Sequence, residues 1–124
     1  MVDNCQPSCY FEMTKRKQYP NTLCPKYDLA VIRAKIAAGQ VKVNPDVRLD
    51  ALRDFGWGLA EILAVFEKLR PGHFDKTDIL RGNFLVMIDV YKAHLNGEDV
   101  YIHFYINDDD YLVINSFHKL EKGG

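Results

Sequence analysis

Residues 100–106 of this 124-residue chain, VYIHFYI, hold its densest run of reactive side chains. The alternation of an extended strand puts Val100, Ile102 and Phe104 on one face and Tyr101, His103 and Tyr105 on the other. A phenol, an imidazole and a second phenol make poor core material unless their polar tips meet partners or water, so the second face reads as a possible site. The next segment, 111–118, ends with Ser116 and His118 on one side. A histidine titrates near neutrality and can act as a general acid. Lys76 and Arg81 add positive charge around the same segments. Lys76, Arg81, Tyr101, His103 and His118 are therefore the candidate site residues: cations that can hold an anion and groups that can move a proton.

Placing those groups requires a sheet. Two polar connectors, AHLNGED at 93–99 and NDDD at 107–110, separate runs of β-branched and aromatic residues, which predicts antiparallel strands over 84–91, 100–106 and 111–117. The first is apolar on nearly every residue until Asp89 and reads as a central strand covered on both faces. Residues 73–80 read as an edge strand that carries Lys76. Upstream, Asp28 caps a helix over 28–38 with Leu29, Ile32 and Ile36 on one face. Val41 and Val43 suggest a short strand. Asp46 is expected to cap a second helix that turns Val47, Leu49, Leu52 and Phe55 inward and stops at Gly56. A third helix, over 59–69, is expected to turn Leu59, Ile62, Leu63, Phe66 and Leu69 inward, and Pro71 and Gly72 end it. The pattern is α+β, with helices packed on one face of an antiparallel or mixed sheet.

Composition sets the outer limits. A chain that is 48% hydrophobic and 27% charged has the make-up of one ordinary globular domain. A net charge of −1 shows no global basic field, so a nucleic-acid partner would have to be met by locally concentrated charge. No stretch reaches the roughly 18 apolar residues of a membrane span, and the N-terminus lacks a signal-peptide profile, so the expected location is cytoplasmic, with no membrane partner. Residues 1–25, with prolines at 7, 20 and 25, read as an irregular leader preceding the domain at 26–124. The three cysteines, Cys5, Cys9 and Cys24, suit free thiols in a reducing compartment better than a disulfide framework, and they lack the paired spacing of a zinc site. The NDDD run lacks a calcium-loop pattern and reads as a polar hairpin turn. No cofactor or metal is expected.

From Lys26 onward the chain resembles the MqsR (motility quorum-sensing regulator) family of type II toxins, part of the RelE-like ribonuclease group. The resemblance is carried by YDLAVIRAKIAAGQVKV at 27–43, the Asp54-Phe55-Gly56 step, HFDK ending at Lys76, IDVY at 88–91, VYIH at 100–103 and SFHK at 116–119, in constant order and nearly constant spacing. It implies a RelE-like fold, a cognate antitoxin protein as partner, and mRNA as substrate of a metal-independent endoribonuclease, an mRNA interferase. A base takes the proton of a 2′-hydroxyl, the oxygen attacks the adjacent phosphate, and an acid protonates the departing 5′-oxygen. Carried over residue by residue, the catalytic lysine falls on Lys76 and the tyrosine on Tyr101. The C-terminal lysine falls on His118, or on Lys119 one place later. His118 becomes the expected third catalytic group, with Arg81, His103 and Lys119 as RNA contacts. The chain departs from the family at Ile88, where a glutamine is usual, and at Asp78, a carboxylate that would repel RNA unless paired by a cation such as Arg81. The alternative is a noncatalytic RelE-fold module acting through a protein partner.

Overall fold

The computed structural model describes residues 24–80 and 83–120. The elements run α1 (Leu29–Ala37), β1 (Val41–Val43), α2 (Pro45–Phe55), α3 (Leu59–Lys68), a 3-10 turn (Pro71–His73), β2 (Phe74–Leu80), β3 (Asn83–Leu95), β4 (Glu98–Ile106) and β5 (Leu112–Lys119). The sheet order is β1-β5-β4-β3-β2, antiparallel throughout except for β1, which pairs parallel to β5. This is the α+β arrangement the pattern predicts, a five-stranded mixed sheet with three helices.

Local chemistry explains most boundaries. Asp28 accepts a hydrogen bond from the Ala30 amide at 2.9 Å and starts α1. Gly56, at φ 76°, ends α2 in a left-handed conformation that a side chain would strain. The Glu61 carboxylate accepts the Gly58 N–H at 2.9 Å at the entry to α3. Arg33 of α1 reaches the other end of α3, where its guanidinium donates to the Phe66 carbonyl at 3.1 Å and to the Leu69 carbonyl. That cation satisfies carbonyls a helix C-terminus leaves open and locks two helices together. The NDDD segment is a polar turn, as expected. Asn107 Oδ1 accepts the amides of Asp109 and Tyr111 at 3.0 and 2.9 Å.

Three boundary readings are corrected. The connector expected over 93–99 is a two-residue turn at Asn96 and Gly97, both at positive φ, so β3 and β4 extend to Leu95 and from Glu98. The N-cap of α2 is Asn44 rather than Asp46, because Pro45 takes the first helical position and moves the start two residues earlier. The inward stripe of α2 is Val47, Ala51 and Phe55, while Leu49 and Leu52 are exposed, as is Leu59 at the start of α3. Small Ala51, fully buried, lets the helix backbone lie close to the sheet, and its neighbours at the i−4 and i+4 positions then define the stripe. A fourth expectation also fails: Cys24 is buried and disulfide-bonded, not a free thiol.

The core lies between the helices and one face of the sheet. Tyr91 stacks on Phe104 at 5.6 Å, Phe104 meets Phe66 of α3 edge-on at the same distance, and Phe117 packs against Phe55 and Trp57. Burying each such ring contributes about 2–3 kcal/mol. Trp57 is thus a packing residue, stacked on Phe55 at 4.5 Å.

Beneath α1 a polar anchor interrupts this apolar layer. Asp89 is wholly buried on β3. Its Oδ1 accepts the Lys26 amide at 2.9 Å and the Thr77 hydroxyl at 2.6 Å, and its Oδ2 accepts the Tyr27 amide at 2.8 Å. The Tyr27 hydroxyl donates to the Met87 carbonyl at 2.8 Å, so the segment entering α1 is tied to the central strand twice. Burial pushes the Asp89 carboxyl above the ordinary carboxylate range, and the Thr77, Lys26 and Tyr27 donors oppose that push.

Candidate active site

Register decides which side chains share the sheet face opposite the helices. Lys76 of β2 aligns with Val90 of β3, Val90 with His103 of β4, and His103 with Ser116 of β5. In the adjacent row Lys92 aligns with Tyr101, and Tyr101 with His118. The helix-side residues Tyr91, Ile102 and Phe117 form the row between them. Lys76, Tyr101, His103 and His118 therefore lie on one face, two rows deep across four strands.

Two irregularities create this alignment. Phe74 and Lys76 are two residues apart and would share a face in a regular strand, yet Phe74 packs edge-on against core Tyr91 at 5.6 Å. A register shift between them, taking up Asp75, turns Lys76 to the other side. On β5, Leu112 and Ile114 face the core, so even-numbered His118 would follow them under the helices. A second shift, opposite the His103–Phe104 step, leaves Asn115 unpaired and moves Ser116 and His118 to the open face, with Phe117 into the core.

The rings are in contact. Tyr101 and His118 stack with centroids 4.9 Å apart and planes 17° apart, and Tyr101 meets His103 edge-on at 5.6 Å. Desolvation raises the Tyr101 phenol above its ordinary value, while the Lys76 charge pulls it down and Asp75 and Asp78 push it up. Burial, and then the neighbouring His118, push the His103 imidazole down to about 4. At neutral pH His103 is uncharged, so it does not bring the positive charge expected of an RNA contact. Its Nδ1 is buried and has no hydrogen-bond partner among the described residues. The His118 Nδ1 lies 3.0 Å from the Lys119 carbonyl oxygen.

Asp78 does not stand as a bare negative charge. Its carboxylate lies 3.5 Å from the Lys76 ammonium, and Lys92 pairs with Asp75 at the same distance. Both pairs are partly exposed and worth little in stability, which leaves the two ammonium groups exchangeable toward another anion. Ile88 aligns with Asp78 and is 6% exposed, so the family's glutamine position is here an apolar, covered one. Arg81 lies outside the described residues. Lys119 is not brought into the cluster: it aligns with core residue Val100, its amide donates to Asp54 at 2.9 Å, and its ammonium lies 4.0 Å from Glu98. It borders a neighbouring cleft of about 870 Å³ lined by Asp50, Arg53, Asp54, Glu98 and Asp99, which meets the open face at His118.

Sequence alternation alone finds the Tyr101 and His103 face, whereas His118 joins it only through the shift at Asn115. Lys92 falls between the strand expected over 84–91 and the connector expected over 93–99, and the longer β3 brings it onto this face. Among the described residues no group of three or more His, Cys, Asp or Glu side chains is placed to hold a metal ion. No helix among them is long and apolar enough to cross a membrane.

A search of curated proteins finds no match. A family model, described as motility quorum-sensing regulator, toxin of MqsA, matches residues 24–119 and so covers every described element. The match spans the Asp89 anchor, both strand irregularities and the whole open-face cluster, and by it the chain belongs to the MqsR toxin family, as the toxin of a toxin–antitoxin system with an antitoxin partner.

Proposed function

We propose that this toxin is a diverged, metal-independent endoribonuclease that cleaves mRNA at the open sheet face and is held silent by its antitoxin. One observation carries the reading: the register places Lys76, Tyr101 and His118 on one face, with Tyr101 stacked on His118. Phosphodiester cleavage by a 2′-hydroxyl needs a cation at the phosphate, hydrogen-bond donors on its oxygens and an acid for the leaving 5′-oxygen. In this reading the Lys76 ammonium leaves Asp78 for the scissile phosphate. Tyr101, its phenol held protonated by desolvation, donates to a nonbridging oxygen. His118 supplies the proton that the 5′-oxygen takes as it departs, a task for which an imidazolium is better suited than an ammonium. Ile88 favours the noncatalytic binding module as second reading, since it offers no hydrogen bond where the family has a glutamine.

Incubation of the purified protein with a structured mRNA, in the presence of a chelator, tests the proposal. New 5′-hydroxyl ends and 2′,3′-cyclic phosphates are expected. Lys76→Ala, Tyr101→Phe and His118→Ala should each lower the rate about 10²–10⁴-fold. The alkaline limb expected of a reaction with a histidine acid should vanish in His118→Lys. An intact mRNA, or a His118→Ala variant cutting at the wild-type rate, would return the chain to the binding-module reading or assign the acid elsewhere.

A further inference from the structure

We propose that His103 is the general base of the cleavage, taking the proton of the RNA 2′-hydroxyl while His118 protonates the leaving 5′-oxygen. This rests on the ribonuclease reading and names the one group that reading leaves open. His103 is paired with Ser116, and His118 lies two residues further along β5, so the imidazoles are diagonal neighbours on one face. Such positions are roughly 7–8 Å apart, enough to set one phosphate between two rings. Tyr101 touches both rings, edge-on to His103 and stacked on His118. Lys76 stands two strands from His103 in the same row, roughly 10 Å away at the backbone and within a lysine's reach of that phosphate.

The environments of the two imidazoles differ as an acid and a base require. The His103 Nδ1 is buried and has no partner among the described residues, so the ring meets a substrate hydroxyl through its other nitrogen, Nε2. Burial keeps that ring in its neutral, proton-accepting form, and the adjacent His118 reinforces this, because two imidazoliums side by side would repel. Among the described residues the other charged or titratable groups of the face are Lys76, Asp75 and Asp78 on β2, Lys92 and His94 on β3, Asp99, Tyr101 and Tyr105 on β4, and Lys42 on β1. Asp78 alone among these raises the proton affinity of His103. A bound phosphodiester would add a second negative charge and strengthen the base when substrate is present.

The step balances. The 2′ O–H bond breaks toward His103, the 2′-oxygen bonds to phosphorus, the P–O5′ bond breaks, and the 5′-oxygen takes the His118 proton. The products are a 2′,3′-cyclic phosphate and a 5′-hydroxyl, with His103 left as imidazolium and His118 neutral, and solvent resets both.

The test is cleavage of a short single-stranded RNA by wild type, His103→Ala and His103→Asn across pH, with thermal unfolding as a check on the fold. Both variants should lose about 10²–10⁴-fold in kcat/KM, together with the acid limb of the profile. Added imidazole should restore His103→Ala several-fold, in proportion to its neutral form, a recovery that a merely structural histidine would not show. If His103→Ala fails to fold, the rate loss and missing acid limb of His103→Asn decide. An active wild type with either folded variant at the wild-type rate, or with an unchanged acid limb, overturns the base assignment and leaves the ribonuclease intact. A wild type that cuts no RNA overturns both.

Discussion

The two faces of the sheet are written by the same strands, residue by alternate residue, and differ in almost everything else. Along β4 the helix side reads Val100, Ile102 and Phe104, all fully buried, and the open side reads Tyr101, His103 and Tyr105, all partly exposed. On the covered side, aromatic rings meet other rings and the buried Asp89 carboxylate has its lone pairs met by three donors. On the open side, ring and ammonium groups sit in loose pairs, and one imidazole nitrogen has no partner among the described residues. The covered face is satisfied and carries the stability. The open face is left unsatisfied, and such a face can bind and react.

The largest effect expected from breaking this contrast is in the aromatic layer. Phe104→Ala removes a ring that touches Tyr91, Phe66 and Tyr27 and should cost about 3–5 kcal/mol, read as a fall in the denaturant midpoint at unchanged slope. Tyr105→Ala, one residue on and facing the other way, should cost less than about 1 kcal/mol. Equal losses would mean that the faces are not divided as described.

Next in size is the anchor. Asp89→Ala leaves the Lys26 and Tyr27 amides and the Thr77 hydroxyl without their acceptor, for a loss of about 3 kcal/mol. Asp89→Asn keeps one oxygen but turns an NH₂ toward donors, so about 1–3 kcal/mol should still be lost. Amide exchange at Lys26 and Tyr27 would rise in both variants. Unchanged protection there would show that the carboxylate does not hold the entry to α1.

How much of this was legible beforehand follows from which rules are local. Alternation in 100–106 placed Tyr101 and His103 correctly, because the strand is regular through them. The glycine stop at Gly56 and the polar turn at 107–110 were equally local. The α2 stripe was not, because leucines outweigh an alanine in any reading by hydrophobicity, whereas close approach to the sheet favours the alanine. Nor does any sequence rule announce the unpaired Asn115 or the shift at Asp75. Each is one residue of slack between strands far apart in sequence, and each turns a chemistry-bearing side chain to the open face. The resemblance singles out Lys76 and His118 without giving a reason for their sharing a face. Register supplies it.

The smallest effect concerns His103, an open-face group whose protonation is coupled to folding. An ordinary histidine binds its proton near pH 6.5, and His103 in the folded protein does so only near 4. Above pH 6.5 the ring is neutral in both the folded and unfolded chain, and its titration costs nothing. As pH falls from there toward 4, the unfolded chain gains a proton that the folded chain refuses, so stability falls across that window and levels off below it. The ring keeps an exposed edge, and solvent screening holds the loss below what the full shift would give. Melting wild type and His103→Asn at pH 7 and pH 5 isolates this part, since groups that do not sense His103 contribute alike to both proteins. The wild-type midpoint should drop further between the two pH values than that of His103→Asn. An equal drop in both would show that His103 takes up its proton as readily folded as unfolded, and that the open face is wetter at its centre than the buried Nδ1 indicates.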